Sequence, residues 1–151
     1  MTARDSRIAR RTLLFRVGAT VYGCDIDDIR EIVPHRQATR LPGAPPYVQG
    51  LINLRGTIVT VLDLAARLEV GRAPVSDGSI MLVPVANSSR LVGLAVGEVL
   101  DVRSVDATTD RRAPRADDDD DDRVVRGIVQ IDDTTVILLD ILTLVRQVLL
   151  S

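Results

Sequence analysis

The stretch Gly50-Leu51-Ile52-Asn53-Leu54-Arg55-Gly56-Thr57-Ile58-Val59-Thr60-Val61-Leu62-Asp63-Leu64 decides how the rest of the chain is read. Two apolar runs rich in β-branched residues meet at Arg55-Gly56, where a tight turn needs a residue free to adopt positive φ. The second run stops at Asp63, a good helix N-cap. The stretch therefore predicts a hairpin followed by a helix. Arg55 is out of character in it, because a guanidinium on the turn of an apolar hairpin must reach water or be held by a carboxylate.

Upstream, residues 1–11 are polar and basic without periodicity and read as a flexible tail. Thr12–Val17 and Thr20–Ile26 predict two strands around a Gly18-Ala19 turn. Asp25 to Asp28 forms a corner, and Ile29 to Val33 alternates like a half-buried strand, with Ile29 and Glu31 on one face. Pro34 to Pro46 is a proline-punctuated connector with a short extended piece at Ala38 to Leu41, and Pro45 to Val48 suits a single helical turn. Downstream, Leu64 to Leu68 suits a short helix, and Gly71 to Gly78 is a Gly/Pro/Ser-rich break that reads as a boundary. Three strands follow at Ser79–Ala86, Arg90–Val96 and Glu98–Val105, then a polar, acidic loop at about 106–123. Val124–Ile131 and Thr134–Leu139 make a second hairpin across Asp132-Asp133, and Asp140 caps a final helix, Ile141–Leu150.

The two halves repeat. Gly127 to Ile131 falls on Gly50 to Leu54 and Val136 to Asp140 on Val59 to Asp63, so strand, turn, strand and helix cap coincide. Likewise Val92-Gly93 to Val102 overlays Tyr22-Gly23 to Ile32, placing Val99 on Ile29 and Asp101 on Glu31. A spacing of about 70–80 residues is too long for a solenoid and implies two copies of one small unit. Each copy offers five short strands, suited to a small closed barrel that protects its edges. The fold class is therefore all-β.

Composition narrows the function. Phe15, Tyr22 and Tyr47 are the only aromatic residues, so Val, Leu and Ile fill the core and base-stacking modes of nucleic-acid binding are poorly served. The formal net charge is −2, and setting aside the six carboxylates of Asp117–Asp122 leaves only +4, too mild and scattered for a nucleic-acid grip. A single cysteine, Cys24, allows no internal disulfide and points to a reducing, cytoplasmic setting. Arg10-Arg11 superficially resembles a twin-arginine signal, but Arg16 and Asp25 break the apolar run that must follow. Asp140 and Arg146 likewise interrupt the apolar C-terminal stretch well short of a membrane span.

The catalytic inventory is thin, and no cofactor or metal is expected. His35 follows a proline in a loop without a partner motif and reads as an exposed loop residue. Cys24, beside Gly23 in a strand, reads as a small core residue. The Asp117–Asp122 run lacks the spacing, central glycine and closing glutamate of a calcium loop, and a block of like charge reads as a solvated loop. Glu31 and Arg55 remain. They are either two solvent-facing charges or a pair, each lying among apolar neighbours and each carrying the other's countercharge.

At this point the chain resembles the CheW-type chemotaxis coupling proteins, over about Leu13 to Leu150. The resemblance is carried by Tyr22-Gly23, Asp25-Ile26, Ile29-Arg30-Glu31-Ile32, Pro45 to Gly50, and Asn53-Leu54-Arg55-Gly56 with Ile58, Val59, Val61, Asp63 and Leu64. It implies one CheW-like domain over 12–151, built as two five-stranded SH3-like β-barrels around a shared core. It implies a non-enzymatic adaptor that links methyl-accepting chemoreceptor signalling tips to the regulatory domain of a CheA-type histidine kinase, without inserting into the membrane. The receptor's helical hairpin would lie between the barrels and the kinase domain would dock barrel to barrel. Carried over by position, Glu31, Arg55 and Gly56 fall on the family's ion pair and turn, and Ile29 on an apolar contact. Val92, Leu94 and Val99 are candidates to line the receptor groove, with core packing the other reading for at least some of them. The acidic run stands where relatives carry a partly apolar segment used for a second kinase contact. That departure leaves room for an alternative, a receptor-independent regulator of a kinase in a divergent motility pathway.

Overall fold

The hairpin forms around Arg55-Gly56. β4 (Val48–Leu54) and β5 (Thr57–Asp63) pair antiparallel with Leu54 opposite Thr57, leaving a two-residue loop. Both loop residues take positive φ, 51° at Arg55 and 88° at Gly56. That is the primed turn whose twist suits the flanking strands. Alternate residues point inward, so Val59 and Val61 are buried with Ile52 and Leu54. The Asp63 carboxylate then accepts the Ala66 N–H at 3.2 Å and starts α1 (Leu64–Arg67). The structure is a computed structural model that describes residues 9–70, 78–86, 88–106 and 123–150.

Among these residues the remaining elements are β1 (Ala9–Val17), β2 (Thr20–Asp25), a 3-10 turn at Ile26–Asp28, β3 (Glu31–Pro34), β6 (Ser79–Pro84), β7 (Leu91–Val96), β8 (Glu98–Asp106), β9 (Val125–Ile131), β10 (Thr134–Leu139) and α2 (Ile141–Leu150). They build two five-stranded sheets, β8-β1-β2-β10-β9 and β3-β6-β7-β5-β4. Advancing or retreating five strands turns one order into the other, so the repeat seen in sequence is a repeat of topology. It holds residue by residue. Leu138 of β10 pairs with Gly23 and, in the other sheet, Val61 pairs with Gly93. The bulge between Val48 and Gly50 recurs opposite Leu138 and Leu139. Asp63 N–H donates to the Tyr47 carbonyl and Asp140 N–H to the Val124 carbonyl, each at 2.7 Å. The second hairpin also turns on two positive-φ residues, Asp132 and Asp133.

The compact units are not the sequence copies. One comprises residues 1–15, 20–28 and 100–151, and the other residues 16–19 and 29–99. Each unit joins the first two strands of one copy to the last three of the other through a parallel pair, β2 with β10 or β7 with β5. The break at Gly71 to Gly78 is therefore no boundary, because β5 before it and β6 after it belong to one unit. In the first unit Leu14, Val21, Val105, Val129 and Val136 form a core cluster. In the second, Val33, Ile52, Leu54, Val59, Val61, Ile80, Leu82 and Ala95 do so.

Two local expectations shift. β1 starts at Ala9, inside the stretch read as a tail, and Pro45 to Val48 is a turn closed by Val48 N–H on the Pro45 carbonyl at 3.0 Å. The rest of the expected tail, residues 1–8, and the acidic loop over 107–122 lie outside the described residues.

Candidate functional site

The second unit positions Glu31 and Arg55. Glu31 opens β3, an edge strand of its sheet, and Arg55 sits on the β4–β5 turn at the opposite edge. Arg55 Nη2 nevertheless lies 2.6 Å from Glu31 Oε1. A flat sheet would hold these edges apart, so the ion pair marks where the sheet curls on itself as a small barrel must. Of the two readings open in the sequence, pairing is the one realised. It is realised at the surface, with side-chain exposures of 65% for Arg55 and 37% for Glu31. An ion pair so exposed contributes at most about 1 kcal/mol to stability.

Asn53 and Gly56 complete the tip. Asn53 Oδ1 accepts the Gly56 N–H at 2.9 Å, locking a turn in which Arg55 holds a backbone conformation uncommon for a side-chain-bearing residue. Ile58, next to the turn on β5, is 60% exposed, and Ile32 beside Glu31 is 37% exposed. The hairpin end thus presents an ion pair together with the exposed Ile58 of the same hairpin, a combination that suits a binding surface, while Ile32, next to Glu31 in an extended strand, faces the other way. Asn53 and Ile58 were missed as site residues. The alternation of β5, with Val59 and Val61 inward, was the signal that Ile58 faces out.

The first unit carries a comparable clasp with its polarity inverted, its arginine two residues beyond the position that the repeat gives to Glu31. Arg103 of β8 reaches Asp132 of the β9–β10 turn, Nη1 to Oδ2 at 2.9 Å. Thr135 stands where the other unit has Ile58, so this hairpin end is polar. At the other end of β10, two carboxylates of this unit differ in ionisation. Burial, reinforced by Asp25, Asp140 and Asp27, pushes Asp28 up to about 6 against a weaker opposing pull from Arg10. Burial alone would raise Asp140 too, but the N–H and hydroxyl of Thr143 and the Arg126 guanidinium hold it below the usual carboxylate range. Burial, with Asp28 and Asp25, pushes the Cys24 thiol up to about 12, so it is neutral and unreactive at physiological pH.

The expected contact residues separate into two groups. Ile29 is half-buried just before β3, Glu31, Arg55 and Gly56 gather at the hairpin end, and Val99 is half-buried near the start of β8. Val92 and Leu94 are buried in β7, at 3% and 0% exposure. Their expected role as groove-lining contacts is corrected: β7 lies between β6 and β5, and residues on both of its faces are inaccessible. His35, expected as an exposed loop residue, is half-buried. Among the described residues, no group of three or more His, Cys, Asp or Glu side chains is placed to hold a metal ion. The Asp117–Asp122 run lies outside them. No helix among the described residues is long and apolar enough to cross a membrane.

Comparison with known proteins agrees with this architecture. A model of the CheW-like domain matches residues 11–149. A probable chemotaxis protein CheW from Rhizobium etli is 34% identical over 133 residues, covering 87% of this chain and 84% of that protein. The chemotaxis protein CheW of Klebsiella aerogenes is 33% identical over 135 residues, covering 89% and 80%. The crystal structure of the scaffolding protein TtCheW from Thermoanaerobacter tengcongensis superposes with a TM-score of 0.75 at 30% identity, covering 91% of this chain and 92% of that one. An exchanged pair of five-stranded sheets, the clasped Asn53-Leu54-Arg55-Gly56 hairpin and a match spanning nearly the whole chain lead to one conclusion: this chain belongs to the family of CheW-like domains.

Proposed function

We propose that this chain is a cytoplasmic, non-enzymatic adaptor that couples chemoreceptors to a CheA-type histidine kinase. A scaffold role in chemotaxis follows from family membership. The named partners, the kinase regulatory domain and the receptor signalling tip, are our inference from that membership. So is the extent of the domain, 12–151 with the acidic loop inserted. An unreactive Cys24 thiol and a lone histidine support the non-enzymatic reading.

The observation that carries the proposal is the exposed Glu31–Arg55 pair, held on a locked turn that also carries the exposed Ile58. We assign Ile29, Glu31, Arg55, Gly56 and Val99 to partner contacts. The adaptor contributes only binding free energy, holding kinase and receptor in one geometry so that receptor conformation biases kinase activity. Arg55→Ala tests this. Because the pair is exposed, the variant should unfold within about 1 kcal/mol of the parent while losing affinity for the kinase regulatory domain. An Arg55→Ala chain that binds the kinase as before overturns the assignment.

A further inference from the structure

The second unit is closed along a seam between the chain that follows β3 and the outer edge of β4. Residues 35–39 cross that seam. His35 N–H donates to the Gly78 carbonyl at 3.0 Å, which continues the β3–β6 pairing by one residue. Four residues later, Thr39 and Leu51 exchange both backbone hydrogen bonds at 2.8 Å, on the β4 side. Gly50 makes room for this approach, because a Cβ there would run into the Thr39 carbonyl. Arg36 falls between the two anchors, and its Nη1 donates to the Asn53 carbonyl at 3.3 Å.

Two things place this arginine. The backbone is anchored on both sides of it, and its guanidinium is bound to the residue that locks the hairpin turn. Leu51 directs its N–H and carbonyl to Thr39, away from β5, and Asn53, two residues on, faces the same edge. The Asn53 carbonyl therefore takes its donor from across the seam, and Arg36 supplies it. The side chain of the same asparagine accepts the Gly56 N–H at 2.9 Å and so sets the turn on which Arg55 holds a φ of 51°. Along the seam the ties run from Thr39–Leu51 through Arg36–Asn53 to Glu31–Arg55, each a step nearer the turn.

Positive φ is an uncommon conformation for a residue such as Arg55, and its ion pair with Glu31 is too exposed to water to hold the turn alone. We propose that Arg36 is a positioning residue for the partner-binding hairpin end: by holding the Asn53 backbone it fixes the turn that presents Arg55 and Ile58, without itself touching the partner. This role rests on the assignment of the Glu31–Arg55 surface to partner contacts. Its physical basis is preorganisation, since a turn already held in one orientation loses less freedom when the partner docks.

The test joins amide hydrogen exchange of the free full chain, followed by NMR, to calorimetric binding of the kinase regulatory domain, for Arg36→Ala, Arg36→Lys and Arg90→Ala. In Arg36→Ala the Gly56 amide should exchange about two- to tenfold faster, the change that accompanies loss of one ordinary hydrogen bond. Kinase affinity should fall by a similar factor, at a melting temperature close to the parent's. Arg36→Lys keeps a donor for the Asn53 carbonyl and should restore both readouts. Arg90→Ala removes the same charge from an exposed loop of the same unit and should change neither. Weaker binding with parental Gly56 exchange would make Arg36 a direct contact, and faster exchange with parental binding would make it a brace without bearing on the partner. Either result overturns the proposal, as would an equal loss in Arg90→Ala, which would refer the effect to net charge. A parent chain that does not bind the kinase domain refutes the adaptor function instead, and the Gly56 exchange rate still decides whether Arg36 sets the turn.

Discussion

Leu94→Ala separates a core position from a contact position. Leu94 has 0% exposure in the middle of β7, between β6 and β5. Truncation removes three carbons, worth about 0.8 kcal/mol each in transfer out of water, or about 2.4 kcal/mol together. The cavity left in a strand paired on both sides adds to this, for a total loss of about 3–5 kcal/mol. Against a domain stability of about 5–15 kcal/mol this is a large share. At about 2–4 °C per kcal/mol, the melting temperature should fall by roughly 6–20 °C. Urea denaturation is the assay, with the midpoint falling and the slope unchanged. Partner affinity measured well below that midpoint should equal the parent's. A Leu94→Ala chain with parental stability and lost receptor binding would refute the reasoning and restore Leu94 as a contact.

Three further outcomes follow from the geometry. Folded Asp28 keeps its proton up to about pH 6, while the unfolded carboxyl releases it near about 3.9, so between these values the folded state binds more protons and this residue makes the protein less stable as pH rises. Asp28→Asn should therefore melt higher than the parent above pH 6, by no more than about 1 kcal/mol for so solvent-screened a group, and match it near pH 4. Asp63→Ala removes the α1 cap and should cost about 1–2 kcal/mol by urea titration. A Cβ at Gly93 would come within 2.8 Å of Ile80 Cγ2, and one at Gly23 within 2.7 Å of Thr12 Cγ2. Gly93→Ala and Gly23→Ala should each destabilise by about 1–3 kcal/mol, read from thermal melts.

The hairpin, the Asp63 and Asp140 caps and the internal repeat were legible because each is a local signal: turn chemistry, a capping residue, a pattern recurring at fixed offset. In the structure the repeat extends to register, since Leu138 opposite Gly23 and Val61 opposite Gly93 are equivalent pairs. The exchange of strands between copies was not legible. Two similar copies can pair within themselves or with each other using the same residues, and sequence similarity is blind to that choice. Whether Val92 and Leu94 face a groove or the core was left open for a related reason. A β-branched and aliphatic strand reads the same whether one face or both are buried, and β7 is covered on both. The Glu31–Arg55 pair could be suspected because both charges interrupt apolar runs. The Arg103–Asp132 clasp could not, since both lie among other charges. The Arg36–Asn53 tie depends on how residues 35–49 fold over β4, which no short-range pattern specifies.

The adaptor reading is tested most directly by calorimetry of the purified chain against the regulatory domain of the CheA-type kinase and, separately, against a receptor signalling-tip fragment from the same organism. The account predicts saturable binding to both, with the kinase interaction weakened by Arg55→Ala. Binding to the kinase domain alone would support the receptor-independent regulator instead, and binding to neither would contradict the account.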